Sequence, residues 1–261
     1  MPVLFFATLS GSLLYVIVLT VTGRIAEAVQ CTTGEFIQVL LKSLLVSSSW
    51  ICVYYAMREL PISIAAPVRA SAPLWTFLGS IILFSEIPSA LQFAGMAAIF
   101  AGYWLFAAFG KLEGIRIFSP GSILIFAGTL LGASSALYDK YLLNVCRLSR
   151  EMLQFYFSVD LVVILGLAYL IRKCVFKSGV PFQWRWSVPL TGILLIAADY
   201  LYFYTVSMPD IQISVLSLVR RSNCAVAFVF GVWLFHDKNI KRKAAALLLI
   251  LAGIILLALA G

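Results

Sequence analysis

Nine stretches of predominantly apolar residues fill this 261-residue chain almost end to end. Each is near the roughly 20-residue length that an α-helix needs to cross a bilayer. They run 3–22, 36–57, 62–84, 88–109, 121–143, 152–172, 188–208, 211–235 and 244–260. The joins are short and carry Gly, Pro and charge, as in SEIPSA (85–90), KLEGIRIFSPG (111–121) and HDKNIKRK (236–243). None is long enough to form a soluble domain. Only 11% of the residues are charged, whereas a water-facing domain carries about a quarter. In hydrocarbon every backbone N–H and C=O must find a partner within the protein. The pattern therefore specifies an all-α polytopic membrane helix bundle. Pro67 and Pro73 are expected to bend or loosen the third span, because each removes a backbone donor.

The first stretch has no basic leader and no small-residue cleavage site, so it reads as a span and not as a signal peptide. The net charge of +8 sits mostly in the joins, where it sets topology; no basic run with interleaved aromatics suggests a nucleic-acid surface. One side carries Arg58, Lys111, Arg116, Arg172, Lys173, Lys177, Arg185, Lys238, Lys241, Arg242 and Lys243. The other carries mainly Arg24, Lys42, Lys140, Arg147 and Arg150. The positive-inside rule makes the first side cytoplasmic and leaves the C-terminus outside. Cys31, Cys52, Cys146, Cys174 and Cys224 show no CxxC spacing, and His236 is the one histidine. No metal-ligand cluster is visible and no cofactor is expected; the thiols read as small apolar fillers.

The chain repeats itself. Shifted by 151 residues, Ile62-Ser63 falls on Ile213-Ser214, Arg69 on Arg220, Ser71 on Ser222, LFSE (83–86) on LFHD (234–237), and Ala101-Gly102 on Ala252-Gly253. An Arg within a span, an acidic residue after Leu-Phe and an Ala-Gly pair in one frame exceed what apolar composition alone matches. The expected organisation is a first repeat over 1–110 with four helices, a loop over 111–120, and a second repeat over 121–261 with five. The partner of 121–143 would precede Met1, so a first helix of an ancestral 5+5 arrangement is expected to be missing.

Two such halves, with the acidic residue after an apolar helix in each, resemble the EamA-like permeases of the drug/metabolite transporter superfamily. The segments that carry the resemblance are Tyr55 to Gly102 and Tyr204 to Gly253. It implies an inverted repeat, alternating access and a substrate site near the midplane between the halves. It also implies a C-terminus inside, against the charge count.

Ionisable side chains within spans are costly and need a reason. Arg69 and Arg220 lie about 10–14 Å into their helices at 1.5 Å per residue. They are repeat equivalents, and Arg221 and Asn223 extend the patch. Two guanidinium forks suit a carboxylate or phosphate; equally, they suit neutralising Asp160 and Asp199, which lie at similar depth. Those aspartates are candidate proton-coupling groups. Three arginines against two aspartates favour an anionic or zwitterionic substrate. Trp50 and Tyr200 are the aromatics expected to line a cavity, while Tyr54 and Tyr204 belong to an interfacial belt. Tyr138, Asp139 and Lys140 read as an interfacial ion pair or a snorkelling lysine. Glu86 and Asp237 read as helix caps.

These features specify a secondary permease of a small polar metabolite; no Walker A sequence supports ATP-driven pumping. A non-transporting scaffold is the alternative. A membrane-embedded enzyme fits less well, since no activated nucleophile or metal-spaced acidic pair appears. The expected partners are a small-molecule substrate, the lipid bilayer, and a coupling proton or counter-substrate. A homodimer is compatible with the sequence. The plasma (inner) membrane of a bacterium is the expected location.

Overall fold

The computed structural model describes residues 2–60, 65, 68–69, 71–85, 88–109, 119–175, 183–221, 248–253, 255–256 and 259, with no side chain for 103, 106–109, 175 and 221. The elements are α1 (Pro2–Val21), α2 (Ile25–Val29), α3 (Thr33–Glu59), α4 (Ala72–Phe84), α5 (Ala90–Phe109), α6 (Pro120–Lys140), α7 (Arg150–Val175), α8 (Ser187–Val206) and α9 (Ile213–Arg221). A π-helical turn, Tyr141–Val145, prolongs α6. Residues 248–253 are also helical, and no strand occurs among the described residues.

Among the described residues, five helices are long and apolar enough to cross a membrane: α1, α3, α6 with its π turn, α7 and α8. Shorter apolar helices cover Ala72–Phe84 and Ala90–Gly102. Parts of the expected spans 211–235 and 244–260, and of the start of 62–84, lie outside the described residues, as do Asn223, Cys224, Glu86, His236 and Asp237.

Local chemistry sets the boundaries. At the start of α3, the Thr32 amide donates to Glu35 Oε2 (2.8 Å) and the Glu35 amide to Thr32 Oγ1 (3.4 Å). This reciprocal capping box starts the helix at Thr33, earlier than hydropathy suggests. Ser89 and Gln92 form the same box at α5, at 2.9 and 3.2 Å. Ser85, left-handed at φ 55°, ends α4. Arg147, at φ 54°, turns the chain after the π turn. There the Leu148 amide donates back to the Leu142 carbonyl at 3.1 Å.

The chain forms two compact units, each assembled from separate stretches: residues 1–48 with 138–210, and residues 49–137 with 211–261. In the first unit α1 packs against α7 and α8. A Cβ at Gly192 would lie 1.9 Å from the Ala7 carbonyl oxygen, and one at Gly11 2.5 Å from the Gly192 oxygen. Backbone thus meets backbone, the approach that small residues permit between membrane helices. Polar side chains also bridge helices: Ser12 Oγ donates to the Ser158 carbonyl at 2.9 Å, Gln154 to the Ile196 carbonyl at 3.0 Å, and Asn144 to the Val206 carbonyl at 2.7 Å. The last of these satisfies a carbonyl left over at the α8 C-terminus.

In the second unit α4 packs against α9. Met96, Ile99, Leu218 and Ile250 form one apolar core, and Ala56, Leu60, Ala65 and Ile125 another. Ser49 Oγ donates to the Gly128 carbonyl at 2.6 Å, and a Cβ at Gly253 would stand 2.6 Å from the Gly95 oxygen.

Candidate transport site

The first unit holds a layer of buried ionisable side chains. Lys42 is 1% exposed, Asp139 3%, Asp199 7% and Asp160 8%; Lys140 is buried beside Asp139. Lys42 lies nine residues into α3, Asp160 ten into α7 and Asp199 seven before the end of α8. At 1.5 Å per residue these offsets put all three at about 10–15 Å from the same end of the unit. Measured from a hydrocarbon boundary at that end, such offsets would reach a third to a half of the way through a core about 30 Å thick.

Adjacent residues of α3 reach two carboxylates. Lys42 Nζ lies 2.7 Å from Asp139 Oδ1. The same ammonium sits 3.7 Å from the centre of the Phe157 ring and 4.6 Å from that of Phe203, and these two rings meet edge to face. A carboxylate and two π faces thus surround one buried cation. The single Ser43 hydroxyl proton is shared between Asp160 Oδ2 at 3.0 Å and the Val39 carbonyl at 2.9 Å. Phe157 and Asp160, three residues apart on α7, share a helix face.

A second charged group closes the end of the unit where α1 turns into α2. Arg24 Nη2 bonds Glu151 Oε1 at 2.5 Å, with Glu27 at 3.8 Å, and Arg150 lies 3.9 Å from the same Glu151 oxygen. The Glu151 carboxylate holds the Arg24 guanidinium above its ordinary range. The Tyr156 hydroxyl donates to the Val29 carbonyl at 2.9 Å, tying α2 to α7. Arg24→Gln is expected to speed hydrogen exchange of the amides at 22–30 while leaving those of α7 and α8 protected. Equal protection in the variant would count against the contact.

Compared with known proteins, residues 1–108 match the model of the EamA-like transporter family. Over those residues the chain is similar to that family. No curated protein matches the chain at a significant level. A solved structure titled only "Crystal structure of protein" superposes with a TM-score of 0.77 at 16% identity, covering 99% of this chain and 87% of that chain. At that identity the likeness shows a common fold. With five long apolar helices among the described residues, the chain is a multi-pass integral membrane protein.

The EamA-like segment contributes Lys42 and Ser43 to the buried layer, and α6, α7 and α8 contribute its carboxylates. Of the residues singled out in the sequence, Asp160 and Asp199 are buried there. Arg69 and Arg220 both lie in the second unit, the former half-buried and the latter exposed; the side chain of Arg221 and all of Asn223 lie outside what is described. Trp50 is half-buried in α3. Tyr200 is 40% exposed and follows Asp199 on α8. Tyr204 stacks under the Arg150 guanidinium at 5.0 Å, in keeping with an interfacial position.

Two expectations are corrected. Lys42 is not a charge at a helix end, and Asp139, which is in an ion pair as expected, is buried with Lys140 and has its pair with Lys42 of α3. The physical reason is length. The capping box starts α3 early and the π turn carries α6 to Val145, so both residues lie deeper than the apolar runs indicate.

Proposed function

We propose that this chain is a secondary active transporter that moves a small polar metabolite, anionic or zwitterionic, by alternating access. The observation that carries the reading is the buried layer of Lys42, Asp139, Asp160 and Asp199 inside apolar helices of an EamA-like chain. Ionisable groups at such depth are expensive, and an inert bundle would replace them with leucine. Both signs of charge are present, as a site for a carboxylate or a zwitterion needs. Asp160 and Asp199 remain the candidates for carrying a coupling proton, and Arg69 and Arg220 for receiving an anionic group in the second unit. Trp50 and Tyr200 stand as aromatic contacts, with Arg221 and Asn223 extending the second-unit patch.

The reading takes the chain as nine spans in two inverted repeats, 1–110 and 121–261. Its support is the 151-residue sequence repeat together with the composition of each compact unit, which draws on both halves. The cargo is powered by a gradient, since no nucleotide-binding sequence is present, and the reading assigns the chain no reaction chemistry. A bacterial plasma membrane suits it.

The test is uptake by proteoliposomes of a radiolabelled panel of amino acids and small carboxylic acids. Saturable uptake of at least one compound is expected. Arg69→Ala and Arg220→Ala are each expected to bring it to background without preventing membrane insertion. Undiminished flux in both variants would remove the arginines from the site. Absence of saturable uptake by folded protein across the panel would count against transport itself.

A further inference from the structure

Lys42 is the most deeply buried charge described and the least expected from the sequence, and its surroundings are specific. Asp139 supplies one carboxylate oxygen at 2.7 Å; Phe157 and Phe203 supply π faces. An ammonium has three donors and no acceptor, and it is here enclosed by one carboxylate and two π faces. A buried ion pair adds little stability over apolar residues of the same volume. Its retention here calls for a use beyond holding α3 to α6.

We propose that Lys42 is the receptor for a carboxylate on the cargo, and that Asp139 is the internal carboxylate which occupies that receptor when cargo is absent. This deepens the transport reading and rests on it. Exchange of the two carboxylates follows from charge balance. Protonation of an Asp139 carboxyl oxygen abolishes its attraction for the ammonium, and Lys42 then receives the cargo carboxylate in its place. The O–H bond on Asp139 is the only bond made. One proton enters the site with each carboxylate, and loss of that proton restores the Lys42–Asp139 pair and expels the anion. The other buried titratable groups of this unit are Lys140 on α6, Glu151 and Asp160 on α7, Asp199 and Tyr202 on α8, and Tyr15 on α1. Asp160 is bonded to Ser43, the residue next to Lys42. A change at either carboxylate therefore reaches the same turn of α3.

The test supplies the missing carboxylate from outside. Asp139→Ala deletes a group of the size and charge of formate. The full-length variant in detergent is titrated with sodium formate and its melting temperature followed, beside wild type and the Lys42→Met/Asp139→Ala double variant. The expected result is a saturable rise of roughly 3–5 °C at about ten times the half-saturating concentration in Asp139→Ala. Wild type and the double variant should show only the common effect of salt. Should Asp139→Ala fail to fold, recovery of folded protein by solubilisation in formate is the same positive result.

A response no larger than that of the double variant, or no recovery in formate, overturns the proposal. It would mean that the pair is sealed from external anions and serves packing alone. That outcome leaves the transport reading standing, because uptake by the wild-type chain is measured separately.

Discussion

Exchanging Lys42 for methionine is expected to destabilise the protein by about 3–5 kcal/mol, the usual result of leaving one partner of a buried pair uncompensated. Methionine matches the aliphatic stem in volume and keeps contact with the rings of Phe157 and Phe203. The loss therefore reports the stranded Asp139 carboxylate, which is 3% exposed. Adding Asp139→Leu removes that carboxylate and is expected to restore most of the melting temperature, since an apolar pair of similar volume avoids the desolvation of two ions. Transport should follow a different pattern: neither the single nor the double variant should carry cargo. Thermal unfolding in detergent, paired with uptake, distinguishes a charge kept for function from one kept for packing. A double variant as unstable as the single would mean that the pair contributes through geometry that leucine cannot reproduce.

Gly192→Ala is the second large effect. The added Cβ would fall 1.9 Å from the Ala7 carbonyl oxygen and 2.8 Å from its carbon, both backbone atoms of α1 that no rotamer change can move aside. The helices must separate, which disturbs the Ser12–Ser158 bond and the packing along α1. Overpacking a rigid site costs about 1–3 kcal/mol and occasionally more, and a backbone-on-backbone clash belongs at the upper end. Gly11→Ala, at 2.5 Å from the Gly192 oxygen, should behave similarly. Gly34, with nothing within 4 Å of its Cβ position, is the control: alanine there should be neutral or slightly stabilising. Melting temperatures of the three variants decide the matter. A Gly192→Ala protein that melts with wild type would contradict the close approach of α1 and α8.

Hydropathy alone identified the five long helices, because a run of about 20 apolar residues has few soluble alternatives. The five long helices fall within a few residues of the expected spans. The depth of the polar residues was less legible. Lys42 looked like a boundary charge, although it stands six residues inside its own apolar stretch, followed by a serine-rich turn. That placement was the available signal, a lysine where a span should be driest. Asp139 was harder to read, because a π turn changes the helix period without leaving a mark in composition. Asp160 and Asp199 were recognised from depth alone. Their partners were not, since the residue that meets Asp160 is Ser43 on a helix 117 positions away in sequence. The short α2 was missed because five residues give no periodic pattern, and its anchor, the Tyr156 hydroxyl, comes from α7.

The most direct test of the central claim is uptake of the amino-acid and carboxylic-acid panel by proteoliposomes carrying either wild type or the Lys42→Met/Asp139→Leu variant, both verified as folded by thermal melt. Saturable uptake by wild type of at least one carboxylate-bearing compound, with the variant at background, is the predicted result. Equal uptake by the two proteins would contradict the assignment of the buried layer as the transport site.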